Sequence, residues 1–182
     1  MMRSLLITLS LACALPVRGT TLERLPLDEM TRKSTAIVRA RVVGTSGVLR
    51  GADIYTIYRI EIVESWKSSQ KSDSQSNPVQ VAVPGGVAGG LRQMVAGAPS
   101  LHVGEEYVMF LWTSRSGLTQ LIGLSQGLFN VQHSGAGDAS ATRAAASELM
   151  LDASGHAVKD EAVSMKLSDL KAQVKRSLSG DR

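Results

Sequence analysis

Residues 36–43, "AIVRARVV", and 53–66, "DIYTIYRIEIVESW", alternate apolar and polar side chains with a period of two. Nothing else in the chain restricts its fold as much. Successive side chains of a strand point to opposite faces, whereas a helix needs a period near 3.6. In the first run Ala36, Val38, Ala40 and Val42 share a face, and Arg39 and Arg41 point away. In the second Ile54, Tyr58, Ile60 and Ile62 line one face, with Arg59 and Glu61 on the other. The glycine-bearing stretch 44–51 predicts the turn of an antiparallel hairpin between them. Opposed Arg and Glu side chains on its wet face predict cross-strand pairs of about 0.2–1 kcal/mol each.

More strands follow. "PVQVAV" (78–83) is a short third strand, and "EYVMFLW" (106–112) is apolar on both faces, as a central strand must be. "LTQLIGL" (118–124) places Leu118, Ile122 and Leu124 on one side, and "LFNVQ" (128–132) turns Phe129 and Val131 inward. "ELMLDASGHAV" (148–158) reads as a hairpin turning at Ala153–Gly155. Two helices frame the strands. "LDEMTRKS" has Pro26 near its start. Near the end, Ser168 suits an N-cap and Asp169 the positive helix terminus. Leu170, Val174 and Leu178 then recur on one face, and Lys171, Lys175 and Arg176 suit the negative terminus. "KSSQKSDSQSN" (67–77) contains no apolar residue and reads as a solvated loop.

The first nineteen residues have another character. A positive start at Arg3, the apolar run "LLITLSLACAL" (5–15) and "PVRG" have the layout of a secretory signal peptide, with Val17 and Gly19 before a cut at Thr20. The run is too short for a span of roughly 20 apolar residues. Lipidation at Cys13, the only cysteine, is a second option. A cut after Gly19 leaves no cysteine, which removes disulfides and thiol chemistry and requires an apolar core. Residues 20–182 carry 18 basic and 16 acidic side chains. That balance gives no reason to propose nucleic acid, whose phosphates demand concentrated positive charge.

"STAIVRARVVG", "IYTIYRIEIVESWK", a glycine-bearing loop and "GEEYVMFLW" together resemble the small barrels of the OB and netrin-like (NTR) type, the fold of the tissue inhibitors of metalloproteinases. The resemblance covers roughly Thr35–Gln132. It implies a five-stranded antiparallel β-barrel and admits a protease-inhibitor-like module. Netrin-like domains are usually disulfide-bonded, and those inhibitors use an N-terminal cysteine where this chain offers Thr20, so that mechanism does not carry over. The segment "GEEYVMFL…GLSQGLFNV" is also similar to uncharacterised exported bacterial proteins.

Two stretches tempt a chemical reading. "GLSQG" (123–127) fits G-x-S-x-G, which holds a nucleophilic serine between a strand and a helix. Here "LFNVQ" follows Ser125, and strand-like alternation replaces the helix. Asp138 or Asp152 and then His156 complete a nominal triad order, but acids and histidines are common enough downstream for chance to supply it. Apolar parity shifts from even to odd across the motif. A turn or bulge explains that shift, with Gly127 free to take positive φ and Ser125 and Gln126 satisfying local backbone groups. "VPGGVAGGLRQMVAGAPSLHVG" (83–104) has the two glycines of a P-loop, but Leu91 and Arg92 stand where Lys and Ser/Thr are required. Its Val87, Leu91, Met94 and Val95 either fold over one barrel end, which the cost of exposed apolar surface favours, or form an adaptable binding surface. His102, His133 and His156 are scattered and do not supply the three ligands of a catalytic zinc.

The sequence therefore predicts a mainly β protein: a signal peptide (1–19), a lead with a short helix (20–34), a small antiparallel β-barrel (35–132), and a C-terminal hairpin and helix (133–182). Its expected function is that of an exported, periplasmic or secreted, non-enzymatic domain that binds a protein partner or another extracytoplasmic ligand. Leu91, Arg92 and Met94 are the expected contacts, and no catalytic residue, metal or cofactor is expected. The alternatives are a small serine hydrolase using Ser125 and the inhibitor-like module.

Overall fold

The computed structural model describes residues 21–68, 79–135 and 137–180. The expected signal peptide, Cys13 and most of the polar 67–77 stretch lie outside the described residues. In chain order the elements are β1 (Thr21–Glu23), α1 (Leu27–Lys33), β2 (Ala36–Arg50), β3 (Asp53–Ser68), β4 (Val79–Pro84), β5 (Gly86–Ala88) and β6 (Leu91–Gln93). They continue with β7 (Glu106–Thr113), β8 (Thr119–Leu121), a 3-10 turn (Leu124–Gly127), β9 (Leu128–Gln132), β10 (Ser140–Arg143), β11 (Leu149–Leu151), β12 (Ala157–Val158), β13 (Val163–Lys166) and α2 (Leu167–Ser179). The protein is mainly β, with two helices, one of them C-terminal.

Eight strands form one sheet in the order β13-β10-β9-β7-β2-β3-β4-β8, and β8 also pairs with β7. One edge of β7 takes β2. Its other edge takes β9 along Glu106–Met109 and β8 along Leu111–Thr113. Between β4 and β8 there is one parallel pair, Ala82↔Gln120. A small sheet, β1-β11-β12, and a ribbon, β5-β6, complete the pairing.

As its composition predicts, β7 is buried on both faces. Tyr107, Met109 and Leu111 join Val38, Ala40, Val42, Tyr58, Ile60, Val81 and Val83 in one core. Val108 and Phe110 join Ile37, Phe129 and Val131 in a second, which α1 and α2 cover with Met30, Leu167, Leu170 and Val174. The phenyl rings of Phe110 and Phe129 meet there at 5.9 Å and a tilt of 51°, a favourable aromatic geometry. Against β3, β2 is irregular, with register shifts at Ile37/Val38, Arg39/Ala40 and Val42/Gly44. Such bulges re-aim side chains.

Several local expectations change. The hairpin turn is not at 44–51: β2 stays extended to Arg50, and the turn is Gly51–Ala52. Ile62 is exposed. In β8 the buried residue is Leu121, while Leu118, Ile122 and Leu124 are partly exposed, because the strand is only three residues long and flanked by turns. Ser168 does not cap α2, which begins one residue earlier, after Lys166; its hydroxyl bonds the Asp138 carboxylate. The predicted Arg/Glu pairs of the hairpin are in register as Arg39↔Glu64 and Arg41↔Glu61. Both guanidinium groups nevertheless turn to Glu106 on the neighbouring β7, at 3.3 and 3.6 Å. Glu106 is only 7% exposed, and an unpaired buried carboxylate costs more than an unpaired exposed one. Glu64 pairs with Lys171 of α2 instead; that ammonium holds its carboxyl below the usual value.

Candidate functional site

Past Val42, β2 loses its contact with β7 and keeps only β3. This outer end of the β2–β3 hairpin is where the glycine-bearing stretch docks. Gly85 N–H donates to the Ile54 carbonyl at 2.7 Å, Thr56 Oγ1 donates to the Gly85 carbonyl, and Ile54 N–H donates to Gln93 Oε1 at 2.6 Å. The approach to β2 is equally close. A Cβ on Gly47 would stand 1.8 Å from the Val87 carbonyl oxygen, so only glycine admits the ribbon there. The chain thus crosses the hairpin at the opposed pair Gly47↔Thr56 and reverses at Gly89–Gly90, both with positive φ and open space around them.

The ribbon does not bury its apolar residues. Val87 is 52% exposed, Leu91 61% and Met94 86%, and Leu49 of the hairpin beneath is 50% exposed. Burial over one end of the sheet, which the cost of exposed apolar surface favours, is therefore corrected for Val87, Leu91 and Met94, while Val95 is partly buried. The physical reason lies in the ribbon's size. Three-residue strands facing a glycine have little apolar surface to bury against. Cross-strand pairing puts Leu91 opposite Ala88 and Arg92 opposite Val87; by strand alternation Leu91 and Arg92 occupy opposite faces. The three sequence-derived contacts share one ribbon, with Met94 just beyond β6.

"GLSQG" behaves differently. It forms the 3-10 turn between β8 and β9, so a strand follows Ser125. Positive φ falls on Gly123 (62°) and Leu124 (55°), not on Gly127 as the sequence suggested. Gly127 is needed for space: a Cβ would lie 2.5 Å from the Ile122 carbonyl oxygen. Ser125 Oγ is buried and has no hydrogen-bond partner among the described residues. Asp152 accepts from the Ser154 and His156 backbone N–H groups in the β11–β12 turn, each at 2.9 Å, and its carboxylate lies 3.6 Å from His156 Nδ1, so the nominal acid and histidine meet each other without Ser125. Gln126 reaches far from its own turn. Its Oε1 accepts from Leu25 N–H, and its Nε2 donates to the Glu23 carbonyl, both at 2.9 Å. The sequence showed a polar turn residue; that it clamps a segment about a hundred positions away had no sequence signal.

Other polar groups are tied to structure. Arg143 holds Asp160 by two hydrogen bonds of 2.7 and 3.0 Å. Burial alone would raise the Asp160 carboxyl, but those bonds and the Ala146 N–H keep it below the usual carboxylate value. Tyr107 donates to Glu105 at 2.6 Å; burial and that bond push its phenol up to about 12. Between β4 and β8 lies a shallow cavity of about 200 Å³ lined by Pro84, Pro99, Leu121 and Leu124 among others, with no titratable group. Among the described residues no group of three or more His, Asp or Glu side chains could hold a metal ion, and no helix is long and apolar enough to cross a membrane.

These observations define the class: a mainly β protein carrying an apolar ribbon on the outer end of its longest hairpin. In comparisons with known proteins, no family model, curated protein or solved structure matches the chain.

Proposed function

We propose that this is an exported, non-enzymatic binding domain whose contact surface is the β5–β6 ribbon and the hairpin end beneath it. The exposure of Val87, Leu91 and Met94 together carries the reading. Large exposed apolar side chains gathered in one place mark interaction sites more often than scattered ones do, and unbranched Met adapts to irregular partners. We extend the proposal to the fold. The pairings β7-β2-β3-β4-β8 and back to β7 support a closed five-stranded barrel of the OB or netrin-like kind, with one core inside it and the other between barrel and helices. In that arrangement the ribbon decorates one end of the barrel. Export rests on the leader-like residues 1–19.

A photo-crosslinking residue placed at Leu91 or Met94 in growing cells tests the contact surface. Cross-linked species should form from those positions and not from exposed Arg115 on the β7–β8 turn. Equal yield from all three would remove the reading. A fluorophosphonate probe tests the hydrolase alternative: labelling of the wild type that Ser125→Ala abolishes would replace a binding domain with an enzyme.

A further inference from the structure

We infer that the ribbon end binds an anionic lipid surface, an inference that rests on the contact-surface reading and names its partner. Charge distribution carries it. Residues 43–59 and 85–95 hold Arg50, Arg59 and Arg92 against Asp53 alone, whereas the rest of the chain from Thr20 has 15 basic and 15 acidic side chains. The net positive charge of that chain therefore resides on one end of one hairpin. Among the described residues none of these three arginines makes an ion pair, in contrast to Arg32, Arg39, Arg41 and Arg143.

Apolar side chains stand on the same end: Leu49, Val87, Leu91 and Met94. Basic residues beside exposed apolar ones supply the two signals that stable attachment to a membrane surface requires, electrostatic attraction to anionic headgroups and burial in the acyl boundary. A protein partner would share the charge preference, but the features of this end favour lipid. Protein hot spots sit in well-packed pockets matched to the partner. The exposed apolar side chains here lie beside the open Gly51 and Gly89–Gly90 turns, where a Cβ would meet nothing. Such a tip enters a fluid bilayer without needing a complementary pocket.

The test is co-sedimentation of the chain beginning at Thr20, which keeps every described residue, with vesicles of phosphatidylglycerol mixed with phosphatidylcholine and of phosphatidylcholine alone. The chain should sediment with the anionic vesicles only. Partition should fall about tenfold when salt shortens the Debye length from about 10 Å to about 3 Å. It should fall at least about tenfold in Arg50→Glu/Arg92→Glu, and again in Leu91→Asp/Met94→Asp. Unfolding midpoints of both variants, expected to match the wild type, exclude misfolding as the cause. Absence of sedimentation, equal binding to both vesicle types, or binding that ignores both double substitutions overturns the inference. Cross-links from Leu91 and Met94 to an acidic protein, without vesicle binding, also overturn it while leaving the contact-surface reading intact.

Discussion

Two glycine-bearing stretches turn the chain in opposite settings. At Gly123–Gly127 it makes a 3-10 jog inside the protein, between two strands that run the same way along one edge of β7; Gly127 has no room for a Cβ there, and the Gln126 amide ties down the backbone of Glu23 and Leu25. At Gly85–Val95 it reverses on the outside, where Gly89 and Gly90 meet nothing and Leu91 and Met94 stand in solvent. In the first, side chains serve the fold. In the second, the fold presents side chains. The stretch that matches a catalytic pattern is packed into the fold through Gln126 and Gly127, and the stretch without a recognisable motif leaves apolar side chains in solvent.

Gly127→Ala should break this contrast most severely. Its Cβ would press on the Ile122 and Phe110 carbonyl oxygens, and overpacking against backbone costs about 3 kcal/mol, read as a lower urea midpoint. Gln126→Ala comes next. It removes two hydrogen bonds and leaves the Leu25 N–H and Glu23 carbonyl without them, for about 2 kcal/mol, with faster hydrogen exchange at Leu25 and in β1 and β11. Slower exchange or an unchanged midpoint would remove the clamp from the account.

Gly47→Ala sharpens the comparison from the other side. It should unseat the ribbon by collision with the Val87 carbonyl, raising exchange across residues 86–93 while global stability falls by only about 1 kcal/mol. Acid separates the regions further. Glu64 and Asp160 have folded pKa values below 4.5 and 3.8 respectively. Their contribution is therefore complete above those unfolded values and vanishes as pH falls through the folded ones. Acid should weaken the framework through these pairs, and Asp160→Asn should flatten that part of the pH profile. The smallest effect belongs to Leu91→Asp/Met94→Asp: a stability change within about 0.5 kcal/mol, as expected where little is buried. A larger loss would mean that the ribbon belongs to the core.

Much of the framework was legible because strand alternation is local. The β2 and β3 runs, both-faced burial of "EYVMFLW", inward Phe129 and Val131, and the Leu170/Val174 stripe of α2 all follow from spacing along the chain. Hairpin length was not legible. Gly44 and Gly47 look like turn residues, yet they stay extended: Gly44 makes room for Arg59 of the opposite hairpin arm, and Gly47 for the Val87 carbonyl of the ribbon that crosses it. The same holds for Arg39 and Arg41, whose partner depends on a third strand. At the ribbon the sequence named Leu91, Arg92 and Met94, but their exposure depended on how much apolar surface the crossing strands could offer.

By itself the sequence determined that this chain would build strands around apolar interiors, with a helix at each end of the described region, because side-chain period is written residue by residue. Only the tertiary structure decided which edges pair beyond the β2–β3 hairpin, that Gln126 would grip a remote backbone, and that the glycine-bearing ribbon would lie open. Those outcomes depend on the space and hydrogen-bonding groups that one segment leaves for another, and such quantities exist only once the segments have met.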